Sequence, residues 1–297
     1  MRKLLTIICC TLGVLSAQAQ QKWAVVVGIS DYAEESGWSK LSGTNDIELI
    51  VPVLHRVGIS EQNITTLSDA QATKQNIRNA LLSLTERASE GDMIYFHFSG
   101  HGQQITDING DEKLLDALDF WDESIVPYDA RIDNAGGYDG ENHIVDDELN
   151  NILSQLKDCI GEKGSILVVL DACHSGGGTR GEADEEVEEE LFVRGTANRF
   201  DILHPENKEQ FEPVDVRWVC ISACREHEQN FEYKMQDGTR YGRLSYALSS
   251  VLATKMNISE LEQRIRQLYN MMPLPGKRYR QTPNVDYNLR LKDKPIF

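Results

Sequence analysis

The sequence predicts an α/β fold in which a mostly parallel sheet is covered by helices on both faces. Apolar, β-branched runs alternate along the chain with segments of helical spacing. These runs are continuous, as in Trp23-Ala-Val-Val-Val-Gly-Ile29, which suits strands buried on both faces. Two of them, over residues 93–98 and 165–170, end in small-residue turns that carry a histidine and a cysteine.

In chain order, the run from Trp23 is the first predicted strand. Ile47, Ile50, Val51 and Leu54 give helical spacing over residues 46–57. A short strand follows at 63–67, then a helix over 73–88 with Thr73 as N-cap and Ile77, Leu81 and Leu84 on its apolar face. The strand at 93–98 runs into Ser99-Gly-His101-Gly102, and that at 165–170 into Asp171-Ala-Cys173-His-Ser-Gly176. Between them lie a polar, Asp-rich stretch (103–145) and a helix over 146–156. A further strand is expected at 217–222, with helices at 241–253 and 258–269. No repeat or compositional break divides residues 20–297, which read as one domain. Residues 176–199 stand apart: after three glycines, seven of the nine residues from Glu182 to Glu190 are acidic, the composition of a solvated, mobile loop.

The 297 residues carry a net charge of −17. Nucleic-acid or anionic-membrane binding is therefore not expected, because both need a basic footprint. Residues 1–19 read as a secretory signal, with Arg2 and Lys3, an apolar run over 4–15, and a small-x-small site at Ala17-Gln18-Ala19. The run is too short to span a bilayer. Cys9 and Cys10 raise a lipoprotein alternative, but no small residue precedes Cys9. Export to the periplasm or the medium, with cleavage after Ala19, is the expectation, and it leaves Cys159, Cys173, Cys220 and Cys224. There is no CxxC and no fourth partner to join His101, Cys173 and His174 in a zinc site.

Functional groups in such sheets gather at the carboxyl ends of strands, where His101 and Cys173 both fall. A free thiol is mostly protonated at neutral pH and needs a base to become a nucleophile. A glycine-flanked histidine on a neighbouring strand could supply that base and later protonate a leaving amine. His97, inside its strand, reads as a structural histidine, and alternation turns the side chain of His174 away from the site.

Tyr95-Phe-His-Phe-Ser-Gly-His-Gly102 with Leu170-Asp-Ala-Cys-His-Ser-Gly176 resembles the caspase-like cysteine peptidases, most closely the metacaspases. Leu41-Ser-Gly-Thr-Asn-Asp46, Ile221-Ser-Ala-Cys224 and Gly242-Arg-Leu-Ser-Tyr-Ala-Leu248 support the likeness, which covers about residues 22–252. The resemblance implies a caspase-like α/β/α sandwich. It also implies Cys173 as nucleophile, His101 as general base and acid, and an oxyanion hole from the N–H groups of Gly102 and Cys173. Asp46 and Asp171 match the family's substrate pocket, joined by Ser99, and two carboxylates there favour arginine or lysine before the cleaved bond. Asp46 equally suits the first turn of a helix.

Calcium is the one cofactor expected, and no organic cofactor is. Asp107-x-Asn109-x-Asp111 begins like an EF-hand, but Glu112 stands where glycine is required and Leu118 where the bidentate Glu belongs. By resemblance, Asp129, Asp146 and Asp147 are the candidate ligands, while a fourth family carboxylate falls near Arg180. Asp146 and Asp147 also suit a helix start. Arg180, Arg194 and Arg199 flank the acidic run and are candidate self-processing sites. The chain thus reads as an exported cysteine endopeptidase acting on proteins or peptides. A non-catalytic binding module on the same fold and a cysteine transpeptidase are the competing readings.

Overall fold

The computed structural model describes residues 20–112, 120–173, 192–225, 227–274, 276, 279–288, 291 and 296. The expected signal segment, Arg180 and His174 lie outside them. Six strands form the main sheet: β1 (Lys22–Gly28), β2 (Ile64–Ser68), β3 (Met93–Ser99), β7 (Ser165–Asp171), β8 (Val219–Ser222) and β11 (Asn284–Tyr287). Their order is β11-β8-β7-β3-β1-β2. All neighbours are parallel except β11, which runs antiparallel to β8.

Alternation along each buried strand divides the core in two. Val25, Val27, Ile94, Phe96 and Val168 face one layer with Ile77, Leu81, Ile152 and Leu156. Those partners lie on α2 (Lys74–Leu82) and α4 (Asp146–Ile160), with α3 (Leu84–Arg87) between them in the chain. Ala24, Val26, Tyr95, Leu167 and Val169 face the other layer, formed by α1 (Gly43–Arg56), α5 (Arg243–Val251) and α6 (Ile258–Met271). Helices on both faces of the sheet make the α/β/α sandwich. Thr73 caps α2 as expected, accepting from Asn76 N at 3.3 Å, but the helix expected over 73–88 breaks at Ser83.

Two small additions carry much of the site. The Asp-rich stretch contains an antiparallel sheet of β4 (Gly102–Thr106), β5 (Trp121–Ile125) and β6 (Ile144–Val145). A hairpin of β9 (Glu232–Lys234) and β10 (Arg240–Gly242) leads into α5. Residues 192–194 do not form a solvated loop. Val193 bridges Phe231 in antiparallel sense, and Arg194 is fully buried.

His97 is structural, as expected. Tyr95 Oη donates to its Nδ1 (2.9 Å), its Nε2 donates to Ser245 Oγ (3.1 Å), and Ser245 Oγ donates to Asp171 Oδ2 (2.7 Å). Burial holds the ring neutral, with its pKa lowered to about 4. Between pH 6.5 and 4 the unfolded chain takes up a proton that folded His97 refuses, so its contribution to stability falls as pH falls. Urea denaturation at pH 7 and 4.5 will show a pH-dependent loss about 2 kcal/mol smaller in His97→Gln than in wild type. Equal pH dependence would contradict this.

Candidate active site

The register places the site. Ser99 pairs with Asp171 across the β3–β7 ladder, and His101 and Cys173 each lie two residues further on, at the carboxyl edge of the sheet. Both are buried. Gly102, immediately after the histidine, opens β4 opposite Ile125.

An aromatic loop holds the histidine. The His101 ring stacks on Trp38 at 4.7 Å, with Tyr32 at 5.2 Å on another side. Tyr32 Oη accepts from the His101 backbone N–H (2.8 Å) and donates to Val126 O (3.1 Å). His101 Nε2 donates to Ser39 O at 2.9 Å, so the neutral ring carries its lone pair on Nδ1. That buried Nδ1 has no hydrogen-bond partner among the described residues. Burial lowers the ring's pKa to about 4; the bond to Ser39 opposes that shift and the Arg194 charge adds to it. Tyr32, Trp38 and Ser39 had no sequence signal beyond lying in the loop after the first strand.

The Cys173 thiol donates to Glu228 O at 3.1 Å and is hydrogen-bonded by Cys224, two residues past the end of the adjacent β8. That bond to Cys173 and burial both push the Cys224 thiol well up. The Cys173 backbone N–H donates to Arg194 O at 2.7 Å.

Beside them is an acidic pocket filled by Arg194. Its Nη1 donates to Asp46 Oδ2 (2.8 Å) and Ser99 Oγ, and lies 3.8 Å from Asp171 Oδ1. Its Nε and Nη2 donate to Glu232 Oε1 at 3.2 and 3.0 Å. Every side chain in these ion pairs has zero exposure. Burial drives Asp46 up to about 6, with Arg194 opposing and Asp171 adding to the shift. Burial alone would lower Arg194, but the three carboxylates outweigh it and hold the guanidinium charged. Asp46 also occupies the first turn of α1, the helix-start position expected of it, and accepts from Gly242 N (2.9 Å). Asp171 Oδ2 takes Ser245 N and Oγ, both at 2.7 Å, which anchors the start of α5.

The chain around Arg194 lies extended against the sheet edge. Arg194 N donates to Asn230 O and Glu232 N to Phe192 O, each at 2.9 Å. A Cβ on Gly195 would fall 2.4 Å from Cys173 O, so the bond after Arg194 lies against the cysteine. Arg199 is elsewhere, donating to Gln104 Oε1 at 3.0 Å and stacked over Trp121.

The calcium candidates divide. Asp146 joins Glu112 and Glu123, and Asp107, Asp111 and Asp122 form a second oxygen cluster. Asp147 takes Asn109 Nδ2 at 2.6 Å beside them. Asp129 is in neither cluster: its Oδ1 accepts from Lys74 N at 2.9 Å, at the start of α2. The EF-hand template failed in sequence, yet its Asp107 and Asp111 reappear here, brought together with β5 and the α4 terminus. Asp107 Oδ2, Asp111 Oδ1 and Asp146 Oδ1 are buried without hydrogen-bond partners among the described residues. Burial and the neighbouring carboxylates push Asp122 up to about 8 and Asp147 to about 6. Clustered hard oxygen donors with unmet partners fit a calcium ion.

A thiol, a histidine lone pair, a backbone donor and an acidic pocket holding a guanidinium thus lie together at the carboxyl edge of one sheet. The chain belongs to the caspase-domain family, whose model, "Caspase domain", matches residues 21–293. Among similar proteins, Metacaspase-1 of Plasmodium falciparum is 30% identical over 251 residues, covering 80% of this chain and 35% of that protein. Metacaspase-6 of Arabidopsis thaliana is 34% identical over 210 residues, covering 68% of this chain and 50% of that protein. The chain thus spans between a third and half the length of these relatives. A solved structure of the Geobacter sulfurreducens protein GSU0716 shares the fold, with a TM-score of 0.62 at 21% identity, covering 90% of this chain and 92% of that one.

A Cβ on Gly242 would fall 2.1 Å from Asp171 Oδ2 and 2.6 Å from Arg194 Nη1, so the pocket needs glycine there. In a Cys173→Ala background, Gly242→Ala will expel Arg194 and let trypsin cut after it roughly tenfold faster or more. Unchanged protection at Arg194 would contradict the packing described.

Proposed function

We propose that the protein is a cysteine endopeptidase that cleaves after arginine or lysine and processes itself after Arg194. The observation that carries this is Arg194 itself. Its guanidinium lies among Asp46, Asp171, Ser99 and Glu232 while its carbonyl oxygen accepts the Cys173 N–H at 2.7 Å. A substrate residue before the scissile bond would need the same two placements.

The chemistry follows from those groups. The Cys173 thiol turns from Glu228 O, gives its proton to His101 Nδ1, and its sulfur attacks the Arg194 carbonyl carbon. Negative charge on the carbonyl oxygen is met by the Cys173 N–H, with the Gly102 N–H as its expected second donor. His101 then protonates the departing Gly195 amine as the C–N bond breaks, leaving a thioester. Water, deprotonated by His101, hydrolyses the thioester and restores the thiol. The low His101 pKa keeps Nδ1 unprotonated at neutral pH, ready to accept the first proton.

Wild-type protein will yield a fragment beginning at Gly195, and both Cys173→Ala and Arg194→Gln will lack it. N-terminal sequencing reads this directly, and the same cut in Cys173→Ala would refute self-processing. Peptides ending in Arg or Lys, but not Asp, will be cleaved, and Cys173→Ala will lose roughly a thousandfold or more of that activity.

Calcium binding at the acidic clusters, with Asp146 and Asp147 contributing and Asp129 not, is part of this reading. The ion would neutralise carboxylates at the end of β4 opposite Gly102 and so brace the strand that follows His101. Calcium at roughly a hundred times its dissociation constant will add about 2.7 kcal/mol of stability over chelated protein. Asp122→Asn will lose most of that gain. Identical melting with calcium and chelator would refute the site. Export after removal of residues 1–19 completes the proposal, tested by whether the mature chain recovered outside the cytoplasm begins at Gln20. Among the described residues no helix is long and apolar enough to cross a membrane.

A further inference from the structure

Glu232 is the one pocket carboxylate that the sequence did not single out, and its placement differs from the others. Asp46 and Ser99 meet the Nη1 corner of the guanidinium, whereas Glu232 Oε1 takes both Nε (3.2 Å) and Nη2 (3.0 Å) on the opposite edge. Glu232 is held for this task before any ligand is considered. Ser42 N donates to its Oε1 and Ser42 Oγ to its Oε2, both at 2.7 Å, from the residue preceding α1. Its own backbone N–H pairs with Phe192 O, two residues before Arg194, so one residue contacts both the extended main chain and the guanidinium.

We propose that Glu232 makes the pocket select arginine over lysine by reading the Nε–Nη2 edge of the guanidinium. This rests on the reading of residues 192–194 as a substrate-like strand. A guanidinium is a planar fork that can serve carboxylates on two edges at once. An ammonium is a point charge: placed at the Asp46 corner it leaves Glu232 buried with only the Ser42 hydrogen bonds and no counter-charge, and placed at Glu232 it leaves Asp46 with only Ser99 and Gly242 as donors and no counter-charge. A buried carboxylate without its partner is costly, so the wrong cation is rejected as well as the right one favoured.

Two measurements test this independently. In the first, kcat/KM is measured for peptides identical except for Arg or Lys before the cleaved bond. Wild type will prefer Arg roughly tenfold or more, and Glu232→Gln will bring the ratio to within about threefold. Ser42→Ala, which loosens Glu232 without changing its charge, will lower the ratio part-way and serves if Glu232→Gln melts early. The second needs no turnover. In a Cys173→Ala background, the rate at which trypsin releases a fragment beginning at Gly195 is normalised to the same bond in unfolded protein. Arg194→Lys will raise that rate roughly tenfold when Glu232 is present and far less in Glu232→Gln. Equal effects in the two backgrounds, or an Arg/Lys ratio unchanged by Glu232→Gln and Ser42→Ala, would overturn the role of Glu232 while leaving the peptidase reading intact. Coupling in the second measurement with neither peptide cleaved would sink the peptidase reading and support the role of Glu232.

Discussion

The site depends on one interaction: a fully buried guanidinium surrounded by three carboxylates. Arg194 joins segments from four parts of the chain, since Asp46 begins α1, Ser99 ends β3, Asp171 ends β7 and Glu232 opens the β9 hairpin. Each carboxylate is also tied to backbone N–H groups, those of Gly242, Ser245 and Ser42 respectively. The acids are therefore fixed by the fold and do not rely on Arg194 for their position. Without a cation, three desolvated carboxylates would face one another, a costly arrangement. The pocket must hold Arg194, another cation, or water.

That constraint links structure to chemistry. The strand register that sets Ser99 opposite Asp171 also sets His101 and Cys173 two residues beyond, so the acidic pocket, the histidine and the thiol share one frame. An arginine bound in the pocket and paired to residues 230–232 has little choice about where its carbonyl lies. In the proposed reaction, binding energy from the side chain would thereby be converted into placement at the Cys173 N–H. The histidine is held separately by Tyr32, Trp38 and Ser39, and among the described residues its Nδ1 has no hydrogen-bond partner.

Much of this was legible in the sequence, for physical reasons. Strands buried on both faces announce themselves as continuous apolar runs, and the two functional turns carried small residues beside His101 and Cys173. The β4–β5–β6 sheet was not legible, because Gly102–Thr106 and Trp121–Ile125 are short and polar. Glu232 was hidden for a related reason: its role comes from Ser42, 190 residues away, and no local pattern encodes that contact. The EF-hand template asked for twelve consecutive residues, whereas the folded acidic cluster draws on three separated segments. Arg194 stood out as a basic residue near an acidic run, but the composition around it suggested solvent, and only the fold shows it buried.

The site as described requires Arg194 to be seated in the pocket of the uncut protein. The direct measurement is the arginine Nε–H region of a ¹⁵N NMR spectrum of Cys173→Ala protein, with the resonance assigned by its loss in Arg194→Lys. A seated Arg194 will give one Nε–H signal that is shifted from the others and slow to exchange with water, as expected of a buried, hydrogen-bonded group. An Arg194 signal that exchanges as fast as the solvent-exposed arginines would contradict it.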